Sequence, residues 1–97
     1  MTTHPNDAAD ATARYNAQNV IFLVNRLSSE MRNLYSAWLQ AQTHGVLKEC
    51  TENALFQWFR EMSAEKMEAE HHLLVMEMAW LEYLSREFSS LFKEENP

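Results

Sequence analysis

One glycine, two prolines and one cysteine in 97 residues leave little with which to build tight turns or crosslinks. Strands linked by short turns draw on Gly and Pro, so an all-β fold lacks its material. A lone Cys50 excludes an intrachain disulfide and any cysteine pair for redox work or structural zinc. Long apolar runs are missing as well: the longest, Val20 to Val24, falls far short of the roughly 20 residues that span a bilayer. Met1 to Asp10 is polar and holds no signal-peptide core, so a cytoplasmic protein without a membrane segment is expected. Basic charge is scarce. Up to Arg32 three acids balance three bases, but from Lys48 onward eleven acids face five bases, which makes up the whole net charge of −6. Without clustered Lys and Arg, neither nucleic acid nor an anionic membrane surface is an expected partner. Catalytic signatures are absent too. There is no Gly-rich phosphate loop and no Ser-His-Asp elbow, and Cys50 has only Lys48 close to it in sequence. No enzyme activity, catalytic residue or cofactor is expected.

What the chain does have is apolar periodicity. Hydrophobic residues make up 46%, including three Trp, three Tyr and five Phe. Ala13, Ala17, Val20, Val24, Leu27, Met31, Leu34, Trp38 and Ala41 follow one another at alternating gaps of four and three. That is the seam of a helix lying along another helix. The spacing predicts one helix from about Ala8, with Asp7 as its N-cap, to about Gln42, where Thr43, His44 and a left-handed Gly45 end it. A second helical region then runs to about Lys93. It is either continuous or broken near Glu61–Glu70, where Ser63 is placed to cap a new helix. The expected fold is all-α: an antiparallel hairpin of two long helices in which residue i faces roughly residue 93 − i. Residues 1–7 read as a disordered N-terminus, 8–93 as a single helical domain, and 94–97 as a C-terminal tail.

The second region carries two stripes. Leu55, Trp58, Met62, Ala69, Leu73, Met76, Trp80 and Leu84 read as its inward face, with Met67, His71, Leu74, Met78, Leu81, Phe88 and Leu91 adjacent. This is more apolar surface than one hairpin covers. Val20 to Val24 points all around its helix, and Phe56 and Trp58 lie about 200° apart. A homodimer closing a helical bundle is therefore expected, with Val20, Val24, Leu27, Met31, Leu34 and Trp38 as its seam. Phe22, Leu55, Phe56, Trp58, Phe59, Met76, Met78 and Trp80 are the expected anchors for a protein partner, because aromatics dominate binding hot spots and methionine repacks against varied surfaces.

The best chemical candidate is the run Glu61, Glu65, Glu68, Glu70, His71 and His72. Glu68 and His71 make a Glu-x-x-His pair on one helix face, the spacing used by ferritin-like carboxylate-bridged metal sites. The region opposite His71 in the hairpin falls near Phe22, and the only acid of the first helix beyond its opening turns is Glu30. The paired carboxylates are thus missing within one chain. The expectation is a solvated acidic face with a half-buried, hydrogen-bonded His71 and no bound metal. A ferritin-like site assembled across a dimer is the alternative.

The acidic, Met-rich and aromatic-rich second region, in its Leu55–Phe59 and Leu73–Leu84 segments, resembles the small helical antiactivators of LuxR-type quorum-sensing receptors, the TraM and QslA kind. The resemblance implies a protein that regulates transcription by occupying a receptor's dimerisation or ligand-binding domain, preventing DNA binding without touching DNA. A structural subunit or a secretion chaperone is the further alternative.

Overall fold

The computed structural model describes residues 7–88 as four helices: α1 Asp7–Val24, α2 Ser29–Gln42, α3 Glu52–Arg60 and α4 Ala64–Glu87. No strand occurs among the described residues, so the all-α class holds. The lead-in assigned to residues 1–7 lies outside the described residues except for Asp7, which is already the first helical residue rather than a cap before it. The expected helical end at 93 and the tail at 94–97 also lie outside them.

Two long helices are not what forms. The first is interrupted at Asn25–Ser28, where Arg26 and Leu27 donate their N–H groups three residues back, to Leu23 and Val24, instead of four. Ser28 then takes an extended conformation, and its hydroxyl accepts from the Met31 N–H at 3.3 Å, starting α2. The second region breaks at Glu61–Ser63. Ser63 caps α4 by accepting from Lys66 N–H at 3.2 Å, as its sequence position suggested, and Thr51 caps α3 in the same way. Helix α2 stops as expected. His44 and Gly45 both adopt positive φ, and Gly45 N–H reaches back to Gln40 O at 2.7 Å. Thr43 holds the following loop down, donating to Leu39 O and accepting from Leu47 N–H.

Each break resets the rotational phase of the chain, and this rearranges the expected seam. Ala13, Ala17, Val20, Val24, Leu27 and Met31 are buried as the spacing predicts. Past the break the buried positions become Tyr35 and Leu39, while Leu34 is exposed, Trp38 half-buried and Ala41 exposed. Trp38 lies against Tyr35, with ring centroids 5.6 Å apart.

The helices also run differently from a hairpin. Helix α3 is antiparallel to α1: Asp10 meets Arg60 at 3.2 Å near one end, and Gln18 and Arg14 meet Glu52 at 3.2 and 3.3 Å near the other. Helix α4 is parallel to α1. Ala8 and Ala9 share a groove with Ala64, Asn19 bonds His71, and Arg26 just past α1 sits with Glu82 and Ser85. Helix α2 is antiparallel to α4, with Met31 beside Glu82 and the Tyr35 hydroxyl donating to Leu74 O at 3.2 Å. The pairing of i with 93 − i therefore does not describe the fold. Between these helices a single apolar core forms, joining the α1 seam, Met31, Tyr35 and Leu39 to Leu47, Leu55, Phe59, Met67, Leu74, Met78 and Leu81.

Candidate functional site

Helix α4 is where burial departs most from the sequence reading. Its core face is Met67, Leu74, Met78 and Leu81, the stripe expected to be secondary. The stripe expected to face inward points the other way. Ala69, Leu73, Met76, Trp80 and Tyr83 recur at gaps of four, three, four and three. At roughly 100° per residue they line the side of α4 opposite the core. All five are exposed, with Leu73 at 38%, Met76 at 53%, Trp80 at 52% and Tyr83 at 47%. Trp80 and Tyr83 stack at 5.6 Å with 21° between their rings, which lays two aromatic faces side by side along the helix. The seam is about 21 Å long by the rise of a helix.

The phase shift at Ser63 explains the inversion. In α3 the buried residues are Leu55 and Phe59, and continuing that phase into α4 without a break would carry Met62, Ala69, Leu73 and Met76 into the core. The turn at Glu61–Ser63 rotates the chain, and Met67 takes that place instead.

The expected partner anchors separate into two groups. Leu55, Phe59 and Met78 are buried in the core, at 0%, 0% and 3% exposure, and cannot be contact anchors in this fold. Phe56 is half-buried beneath two guanidinium groups, Arg14 at 3.9 Å and Arg60 at 5.4 Å from the ring centre, each of which also holds a carboxylate of the neighbouring helix. Trp58 is half-buried against Phe59, with centroids 5.3 Å apart. Met76 and Trp80 are exposed on the outer seam of α4, and Phe22 is exposed on α1. The expected dimer seam fares similarly: Val20, Val24, Leu27 and Met31 are consumed inside the chain, while Leu34 stays outside. Tyr83 was missed by sequence reasoning, although continuing the four-three spacing one step past Trp80 reaches it.

Glu68 and His71 line two grooves between α1 and α4. The first, of about 540 Å³, has Ala8, Thr12, Asn16 and Met67 on its walls; the second has Asn19, Glu65 and His72. Asn19 Nδ2 lies 3.0 Å from His71 Nε2 and, with the amide in this orientation, donates to it, leaving the ring neutral with its proton on Nδ1. Phe59 packs edge-on against the same ring. Burial, and then the neighbouring His72, hold the His71 pKa below its ordinary value. The ring is thus a packed element of the α1–α4 contact. Among the described residues no three His, Cys, Asp or Glu side chains converge as a metal would require.

The remaining reactive groups are quiet. Burial pushes the Cys50 thiol up to about 11, so it holds little of the thiolate that nucleophilic chemistry needs. Burial likewise raises the Tyr35 hydroxyl, with Cys50 and Glu77 adding to it, and keeps it a donor to Leu74 O. No helix among the described residues is long and apolar enough to cross a membrane.

Compared with known proteins, the chain matches no family model, no curated protein and no solved structure.

Proposed function

We propose that the chain is a protein-binding module that acts by holding another protein against the outer face of α4, not by catalysis. The observation that carries this reading is the uninterrupted exposed seam of Ala69, Leu73, Met76, Trp80 and Tyr83. Single exposed apolar residues are ordinary, but a contiguous row of them along a rigid helix is the surface an amphipathic partner helix packs against. Trp80 and Tyr83 are the side-chain types that dominate hot spots, and Met76 adapts to different partner shapes. The antiactivator resemblance supplies the class of target: a transcription factor whose dimerisation or DNA-binding surface is masked while it is held. The acidic balance of the chain fits a protein that does so without touching DNA.

The test is a tagged pull-down from the native cell with the wild-type chain and with Trp80→Ala in parallel. One regulator recovered near stoichiometrically with wild type and lost with the variant is the expected result. Equal recovery with both chains, or no partner above background, contradicts the reading.

A further inference from the structure

The outer seam of α4 has an acidic rim. Projected around the helix, Glu68 lies along one side of the seam, Glu70 and Glu77 along the other, and Glu65 and Glu87 near its two ends. The cations there are Lys66 and Arg86, and Lys66 is already paired with Glu70 at 3.3 Å. An apolar strip edged by carboxylates selects its partner by charge as well as by shape. A second copy of this chain would set that rim against its own like charges, which favours a different protein over self-pairing.

We propose, resting on the protein-binding reading above, that the occupant of this face is an amphipathic helix of another protein with apolar residues at four-three spacing and Lys or Arg on both flanks. The Leu73 to Tyr83 strip supplies the dry contact. Desolvating the Trp80 and Tyr83 faces gives affinity, and the flanking carboxylates set which helix is accepted and how fast it docks. The same arrangement makes the complex sensitive to salt, because Glu65, Glu68 and Glu87 of the rim are solvent-exposed, while Glu70 and Glu77 are half-buried.

The experiment is a displayed library of helical peptides whose seam positions are fixed as Leu and whose flanks vary among Lys, Gln and Glu. It is selected against the wild-type chain and counter-screened on Trp80→Ala. Lys is expected to enrich on both flanks. Lys-flanked peptides should bind about tenfold tighter than their Glu-flanked counterparts, lose much of that advantage at high salt, and lose binding to Trp80→Ala. Circular dichroism of that variant should match wild type, because Trp80 supports no part of the core. Enrichment of Gln or Glu overturns the charge selection. If such binders still depend on Trp80, the protein-binding reading stands without it. Binders indifferent to Trp80→Ala, or no binders at all, overturn the proposed face. Sedimentation showing a wild-type dimer that Trp80→Ala turns into a monomer overturns the choice of occupant in favour of a second copy.

Discussion

Helix α4 carries two apolar seams of the same helical spacing that meet different surroundings. Met67, Leu74, Met78 and Leu81 close against α1 and α2, while Leu73, Met76, Trp80 and Tyr83 face outward. The outer seam holds the two large aromatics and the inner one holds Leu and Met, and both are apolar enough to form a core. Side-chain hydrophobicity therefore did not decide which face was buried. The neighbours did. Helices α1 and α2 both approach α4 from one side, through the Asn19–His71 and Tyr35–Leu74 hydrogen bonds, and the turn at Ser63 fixes which face they meet. A helix with one seam inside and one outside is stabilised by the first and carries the second on its exposed face.

The contrast can be broken most strongly from the inside. Phe59→Ala removes a fully buried ring that touches both Trp58 and His71. It should cost about 3–5 kcal/mol in a denaturant titration, a large share of the roughly 5–15 kcal/mol that holds a small domain. A loss below about 1 kcal/mol would mean that Phe59 is not part of the core that the inner seam of α4 closes against.

The phase-setting turns come next. Ser28→Ala and Ser63→Ala each remove a hydroxyl that accepts a backbone N–H at the first turn of a helix, and each should cost about 1 kcal/mol. Ser63→Gly should cost only a few tenths, because glycine tolerates the cap conformation. No measurable loss for either Ala or Gly at position 63 would show that the cap hydrogen bond is not what fixes α4.

A smaller effect concerns His71. Its pKa is lowered in the folded chain, so the unfolded chain takes up the proton first as pH falls. The His71 contribution is then complete above the ordinary histidine pKa of 6.5 and declines as pH drops through 6.5 towards the lower folded value. The denaturation midpoint of wild type should fall over that window relative to His71→Gln, which has no such titration. Parallel curves for the two chains would remove His71 from the α1–α4 contact.

The smallest stability change should come from the outer seam. Trp80→Ala is expected to shift folding stability by less than about 0.5 kcal/mol while weakening a partner complex about thirtyfold. That pairing of a silent fold with a lost complex is the sharpest form of the contrast.

Parts of this arrangement were legible in the sequence for definite reasons. The scarcity of Gly and Pro excluded strands, Ser63 marked the start of α4, and the Thr43–Gly45 segment marked the end of α2, since each rests on local backbone chemistry. The α1 seam was legible from Ala13 to Val24 because that helix is regular. The break at Asn25–Ser28 was hidden because Val24, Leu27 and Met31 keep their four-three spacing across it and remain buried while the backbone leaves the helix. Periodicity reports side-chain burial and is blind to such a turn. The same limit concealed which α4 seam is the core, since both satisfy the pattern and only the placement of α1 and α2 distinguishes them. The direction of packing was equally inaccessible: α4 runs parallel to α1 because the chain reverses at Asn25–Ser28 before α2 and α3 and again at Glu61–Ser63 after them, and that depends on where two turns fall.

The most direct test follows Trp80 itself, in a chain carrying Trp38→Phe and Trp58→Phe so that one indole reports. Its fluorescence should be readily quenched by acrylamide in the isolated protein. Adding the protein recovered in the pull-down should protect it and shift its emission to the blue. An indole already shielded in the isolated chain, or one whose quenching the partner leaves unchanged, would contradict the assignment of the outer α4 seam as the binding face.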